Sequence, residues 1–233
     1  MYIANDNNAS GTMGFGTMTK NGDKYENLTS LWDQGGITAV KVHPETGAVF
    51  IGYHSGSWIY QYDGTNFIPK FQLPDAAGAA ASKGNINAIA FDKPGTTAYI
   101  VSRKNHVIYK ASYDMATGEF SDVKLLAGSF GVTGYADGSG TSAQFNEPSQ
   151  GDVDEEGNFY VADRGNHCIR VITPDGEVST YAGQNKAGMV DGIASLAEFN
   201  NPEGCQFGPD GALYVADYSN HAIRKVEDGP AQP

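Results

Sequence analysis

The sequence predicts an all-β fold from its composition, from an internal repeat, and from turn signals that divide the repeat into short segments. The chain has 233 residues, including 30 Gly, 13 Tyr and 11 Phe, and only 18% of its residues are charged. Such a composition favours many short strands joined by tight turns. No apolar periodicity of 3.6 residues supports a helical solenoid.

The clearest repeat relates residues 158–170 to residues 212–224, a shift of 54 positions. Both copies contain Tyr-Val-Ala-Asp, followed by Asn-His and Ile-Arg. The segments 127–148 and 182–202, which precede them, share Ala-Gly, Asp-Gly and Ala-x-Phe-Asn-x-Pro. Weaker copies at 99–109 and 50–60 keep the apolar positions, and residues 2–5 resemble the start of another copy. Four strands at a period near 50 predict a β-propeller of four-stranded antiparallel blades.

Within the best copy, strands are predicted at 149–154, 158–163, 168–173 and 178–182. Gly, Asn and Asp at 155–157, 164–166 and 174–176 are typical of tight turns. The predicted blade units are 1–34, 35–83, 84–146, 147–200 and 201–227, followed by a tail at 228–233. This count gives about four and a half blades. Because the first unit opens on a second strand, we expect the chain to lack an N-terminal portion.

These residues resemble the NHL repeat. The resemblance is carried by Pro202-Glu203-Gly204, Leu213 to Asp217, Asn220-His221 and Ile223-Arg224, and by the matching earlier copy. It is specific over residues 125–227 and loose over 1–124. The linking segments are similar to an extracytoplasmic, Bacteroides-like bacterial branch of the family. The resemblance implies a six-bladed parent protein located in the periplasm or at the cell surface.

The repeated polar residues are expected to be structural, because a residue repeated in every blade is distributed around a ring. Zinc ligands lie about 2.1 Å from their ion, whereas equivalent points on packed sheets are about 10 Å apart. The Asn-His pairs therefore do not predict a metal site. Blades that lack the Asp also lack the Arg, which predicts Asp–Arg pairing. The predicted structural residues are Asp163, Asn166, His167, Arg170, Asp217, Asn220, His221 and Arg224.

Candidate ligand-binding residues follow from strand direction. The turns between second and third strands emerge on the same face as the long segments 127–148 and 182–202, and long surface loops often carry function. Phe145 and Phe199 are expected to seat the next blade, and Asp137 and Asp191 to form turns. The positions on this face where the repeats differ are His54, Arg103, Tyr135, Arg164, Met189 and Tyr218.

The net charge and the cysteines limit the classes of function and partner that the sequence allows. The formal net charge of −12 disfavours nucleic acid, including the RNA binding of animal NHL proteins. Cys168 and Cys205 are expected to be small buried hydrophobic residues, although their spacing also permits one bridge. No apolar run is long enough for a transmembrane segment. The N-terminus carries no signal peptide.

The sequence thus predicts a non-enzymatic scaffold that presents its loop-rich face to a carbohydrate, peptide or protein partner. No catalytic residue, metal ligand or cofactor is predicted. The alternative is a metal-dependent lyase or lactonase-like propeller, because relatives of that kind hold an ion in the central channel. Asp152, Glu203 and Asn87 are the inner-strand residues available for that role.

Overall fold

The computed structural model describes residues 2–5, 14–21, 24–32, 36–53, 56–75 and 84–227. Within these residues the strands form five antiparallel sheets in chain order, named I to V. Sheet I contains β1 (Tyr2–Asn5), β2 (Gly14–Asn21) and β3 (Lys24–Trp32). Sheet II contains β4 (Ile37–Val42), β5 (Val49–Tyr53), β6 (Trp58–Tyr62) and β7 (Phe67–Gln72).

The remaining sheets repeat this up-and-down order. Sheet III contains β8 (Ile86–Phe91), β9 (Thr97–Ser102), β10 (Val107–Asp114) and β11 (Glu119–Ala127). Sheet IV contains β12 (Gly138–Ser139), which pairs with the outermost of β13 (Pro148–Val153), β14 (Phe159–Asp163), β15 (Cys168–Ile172) and β16 (Glu177–Gly183). Sheet V contains β17 (Pro202–Phe207), β18 (Leu213–Asp217) and β19 (Ala222–Val226). In sheet IV the four main strands lie within one residue of their predicted bounds.

Sheets II to V are four consecutive blades of a β-propeller. Their first strands, β4, β8, β13 and β17, pack side by side around a central channel, and β1 contacts β4. The predicted all-β propeller fold is therefore confirmed. Short 3-10 turns occupy Arg103–Asn105, Gly140–Ser142, Arg164–Asn166, Ala194–Leu196 and Tyr218–Asn220. No helix in the described ranges is both long and apolar enough to cross a membrane.

The core consists of apolar layers between successive blades. Phe145, from the segment that enters sheet IV, is fully buried in the layer between sheets III and IV. Phe199 occupies the same place one repeat later, between sheets IV and V. In the first of these layers the ring of Tyr99 stacks on Phe159, with centroids 5.2 Å apart. The long connecting segments thus pack against the blades that they join.

Each long connection returns close to the turn between the second and third strands of the preceding blade. Gly128 and Gly183 end the outer strands with φ of 95° and 99°. A Cβ at Gly128 would lie 2.5 Å from the carbonyl oxygen of His106, and one at Gly183 would lie 2.8 Å from that of His167. Only glycine fits so close to a backbone carbonyl, which explains the repeated Ala-Gly.

Candidate functional site

The inner strands carry a belt of polar residues around the channel. It consists of the second residue of each first strand: Thr38, Asn87, Ser149 and Glu203. Asn87 Nδ2 donates to Ser149 Oγ at 2.8 Å, and Ser149 Oγ donates to Glu203 Oε1 at 3.0 Å. The hydroxyl of Thr38 donates to the carbonyl of Ile86. The belt therefore links sheets II to V by hydrogen bonds.

Three members of the belt, Thr38, Asn87 and Glu203, line a cavity of about 560 Å³ in the channel. Further along the inner strands, Lys41 Nζ lies 3.8 Å from Asp152 Oδ1. Asp152 also accepts a hydrogen bond from the backbone N–H of Phe207 at 3.2 Å. The charge of Asp152 is therefore balanced by a neighbouring cation.

Five charged residues converge at one end of the channel, and we call them the mouth cluster: Arg103, Lys104, Glu147, Arg164 and Glu203. Arg103 Nη1 and Arg164 Nε each donate to one oxygen of Glu203, both at 2.8 Å. Arg164 Nη1 also donates to Glu147 at 3.3 Å. Because Arg103 belongs to sheet III and Glu203 to sheet V, the Arg103 side chain spans the inner edge of sheet IV.

Glu147 lies just before the first strand of its blade, at a position where the backbone is left-handed. Its φ is 53°, and the equivalent Gly36, Asn85 and Asn201 also have positive φ. Asn and Gly adopt this left-handed conformation most readily, so a glutamate here is unusual. A hydrogen bond from Lys104, together with the charges of Arg103 and Arg164, lowers the pKa of Glu147. Glu147 is therefore ionised at neutral pH.

The repeated Asp is a buried acceptor that fastens the connecting segment to its blade. Asp163 accepts from the Asn146 backbone N–H and from Asn166 Nδ2, both at 2.8 Å, and from Arg170 Nη1 at 2.9 Å. Burial raises the pKa of Asp163 to about 6 in spite of these donors. Arg170 Nη2 also donates to Asp137 Oδ1 at 2.6 Å. Asp137, expected only to form a turn, therefore belongs to the Arg170 contacts.

The same arrangement recurs 54 residues later. Asp217 accepts from the Asn200 backbone N–H at 2.7 Å, from Asn220 Nδ2 at 2.8 Å and from Arg224 Nη1 at 3.0 Å. Asp191 also contacts Arg224. In sheet II the two corresponding side chains are Tyr53 and Tyr60, whose rings pack edge to face with centroids 5.3 Å apart. An aromatic pair thus occupies the place of the ion pair there.

Two of the repeated histidines link neighbouring blades by hydrogen bonds. His106 Nδ1 accepts from the backbone N–H of Glu147, and His167 Nδ1 accepts from that of Asn201, both at 3.0 Å. Desolvation lowers the pKa of both imidazoles. His221 ends the next turn with the same positive φ. The geometry therefore gives His106 and His167 backbone partners in the following blade.

The six candidate ligand-binding residues are distributed as follows. Arg103 and Arg164 meet in the mouth cluster. The Tyr135 ring lies 5.2 Å from the Arg170 guanidinium, and its hydroxyl contacts Thr180. Met189 and Tyr218 are exposed on the loop-rich face, and His54 lies outside the described residues. The structure thus brings two of the candidates together.

Glu147 and Ser149 are not among the residues predicted from the sequence. A signal for Glu147 exists, because Gly, Asn and Asn occupy its position in the other blades. Ser149 could have been found by aligning the second residues of the inner strands, where Glu203 and Asn87 were already considered.

The two cysteines are free thiols buried in the core, as expected from the sequence. Burial raises the pKa of both thiols far above the usual range. In the parts of the chain that the structure describes, no group of three or more His, Cys, Asp and Glu side chains is placed to hold a metal ion.

Comparison with known proteins supports the fold and the repeat. The NHL repeat model matches residues 145–172. NHL repeat-containing protein 2 from Bos taurus is 37% identical over 81 residues, which cover 34% of this chain and 11% of that protein. The chain therefore spans about a tenth of this relative's length.

Among solved structures, an auxiliary nutrient binding protein from Bacteroides thetaiotaomicron superposes with a TM-score of 0.79 at 26% identity. The match covers 96% of this chain and 57% of the other. Virginiamycin B lyase from Staphylococcus aureus has a TM-score of 0.54 at 16% identity, covering 84% of this chain and 54% of the lyase, a likeness in fold alone. The chain thus contains an NHL repeat at residues 145–172, its motif recurs 54 residues later, and the described residues fold as consecutive blades of a β-propeller.

Proposed function

We propose that the chain is a non-enzymatic binding module that presents its channel mouth to a carbohydrate, peptide or protein partner. The observation that carries this proposal is the mouth cluster. Two arginines from different blades are fixed by two carboxylates, one of which, Glu203, also lines the channel cavity of about 560 Å³. Concave sites with a few fixed polar groups are typical of ligand binding.

The charges of the channel favour binding over the metal-dependent alternative. A hard cation such as Ca²⁺ requires several oxygen ligands that are free to coordinate it. Glu203 already accepts from Arg103, Arg164 and Ser149. Asp152 accepts from a backbone N–H and lies beside Lys41. An ion would therefore have to displace cations that these carboxylates already hold.

The structural relatives agree with a binding role, because one of them is described as an auxiliary nutrient binding protein. That relative comes from Bacteroides, and we extend an extracytoplasmic location, in the periplasm or at the cell surface, to the parent of this chain. The net charge of −12 opposes binding to nucleic acid.

The proposal is tested by probing the purified chain with panels of immobilised oligosaccharides and of short peptides. We expect saturable binding to a restricted set of probes. This binding should be weakened by Arg164→Gln, which removes one guanidinium from the mouth, but not by Lys93→Gln on the opposite face. Binding that both variants retain fully would place the site elsewhere, and no binding to either panel would contradict the proposal.

The enzymatic alternative is tested by thermal unfolding in the presence of Ca²⁺ or Zn²⁺. A cation bound only to the folded state raises the melting temperature with its concentration. We expect no such rise. A saturable rise that is lost in Glu203→Gln would favour the metal-dependent enzyme.

A further inference from the structure

We infer that Arg103 and Arg164 bind the carboxylate of an acidic sugar at the mouth of the channel. This inference rests on the proposed binding function and adds the chemical class of the ligand. It is carried by unused guanidinium donors, by the sign of the local charge, and by the polar belt beneath the arginines.

The arginines retain most of their hydrogen-bonding capacity. Two guanidinium groups carry ten N–H donors, and only three of these donate to Glu147 and Glu203. Arg103 Nη2 lies 3.6 Å from Glu147, beyond hydrogen-bonding distance. Arg164 Nη2 has no acceptor among the described residues. An arginine with free Nη groups is well suited to bind a carboxylate through two parallel hydrogen bonds.

The local charge is opposite in sign to that of the whole protein. The mouth cluster contains three cations and two carboxylates, whereas the chain carries a net charge of −12. Lys41 and Asp152, further along the channel, balance each other. A positive site in a concave surface attracts anions from solution. The excess positive charge therefore favours an anionic group at the mouth over a neutral one.

The groups below the arginines match the hydroxyls of a sugar. Thr38, Asn87 and Gln150 line the channel cavity with hydroxyl and amide groups. Such groups both donate and accept hydrogen bonds, as sugar hydroxyls do. The cavity of about 560 Å³ lies within the usual range for small-molecule sites. A carboxylate on the arginines would direct the remainder of a sugar toward this belt.

Titration calorimetry on the full chain tests the inference, with D-galacturonic acid and digalacturonate as acidic probes and galactose and galactobiose as their neutral counterparts. We expect the acidic probes to bind at least about tenfold more tightly, as a charge-assisted hydrogen bond implies. Arg103→Gln and Arg164→Gln should each remove about that advantage. Lys93→Gln, which removes one positive charge on the opposite face, should leave the affinity unchanged.

Equal affinity for acidic and neutral sugars, or no binding of either, would overturn the inference. The proposed binding function would still be decided by the oligosaccharide and peptide panels. Inorganic phosphate that competes as well as galacturonate would also overturn it, because the site would then recognise any anion. If a Gln variant fails to fold, Arg103→Lys and Arg164→Lys keep the charge and lose only the paired donors. Full acidic preference in the Lys variants would contradict the role of the guanidinium groups.

Discussion

Arg170 is a fully buried cation, and the groups that surround it stabilise its charge. Its guanidinium donates to Asp163, to Asp137 and to two backbone carbonyls, and it lies 5.1 Å from the Phe145 ring. Removing one partner of a buried pair leaves the other charge uncompensated, which costs about 3–5 kcal/mol. We therefore expect Asp163→Asn and Arg170→Gln each to lower the free energy of unfolding by about that amount.

The double variant should lose less than the sum of the two single variants, because each single substitution leaves an unpaired charge that the other removes. Coupling between such contacting residues is about 0.5–3 kcal/mol. Denaturant titrations of the four proteins measure it. Asp217 and Arg224 form a matched pair, and since Arg224 is partly exposed we expect weaker coupling there. Strictly additive losses at Asp163 and Arg170 would contradict the stabilising role of the pair.

Because two histidines link blades by accepting hydrogen bonds, we expect the protein to lose stability in mild acid. His106 and His167 accept a backbone hydrogen bond through Nδ1, which an imidazolium cannot do. Desolvation lowers the pKa of both residues in the folded protein, whereas the unfolded chain titrates near the ordinary value of about 6.5. The unfolded state thus binds protons first as the pH falls. The contribution of the two histidines to the free energy of unfolding is complete above about pH 6.5. It is lost as the pH falls through their lowered pKa.

The control for this prediction is the double variant His106→Asn/His167→Asn. Asn tolerates the positive φ of both sites, and its Oδ1 occupies the position of the imidazole Nδ1 without titrating. We expect the free energy of unfolding, measured from pH 8 to pH 5, to change less with pH in this variant. An unchanged slope would show that other groups cause the acid loss.

At the scale of the element, the same repeat position behaves differently according to whether a blade follows it. Tyr99 is almost fully buried against Phe159, and its hydroxyl donates to the Gly157 carbonyl at 2.7 Å. We expect Tyr99→Ala to cost about 3–5 kcal/mol, as for other large aromatic truncations in cores. Tyr99→Phe should cost about 1 kcal/mol for the lost hydrogen bond.

Tyr214 is the matched control, because it occupies this position in sheet V, and its hydroxyl bonds the exposed Asp210 at 2.9 Å. Tyr214→Ala should change the free energy of unfolding far less than Tyr99→Ala does. Equal losses at the two sites would mean that packing between blades does not determine the contribution of this residue.

The strands of the best repeat were predictable from the sequence because turn chemistry and alternation act locally and recur 54 residues later. The strands of sheet IV therefore lie within one residue of the predicted bounds. The 3-10 geometry of Arg164–Asn166 was not predicted, and it arises because His167 closes the turn with a φ of 55°.

The candidate site was predictable only in part. Arg103 and Arg164 were identified because the repeats differ at these positions, which lie outside the repeated structural motif. Their convergence on Glu203 depends on how three blades are placed around the channel, a non-local property that the spacing of residues does not contain. Tyr135 also differs between the repeats, yet its ring packs on Arg170, one of the structural residues.

At the scale of the whole molecule, sheet V exposes a face that its neighbour buries. Ile169 in β15 is fully buried, whereas Ile223, at the same position in β19, is 71% exposed. In the described residues β19 is paired only with β18, so its other edge presents free backbone groups. An apolar face beside an open strand edge favours association with another copy of the chain.

The net charge of −12 opposes this association, because like-charged copies repel one another until salt screens them. We therefore expect a monomer at low ionic strength and concentration-dependent association as salt is added, measured by sedimentation velocity. Ile223→Lys should suppress the association by placing a charge on the exposed face. Val132→Lys makes the same change in net charge at an exposed site on a connecting loop, and it should not suppress it. Equal suppression by both variants would assign the effect to net charge rather than to sheet V.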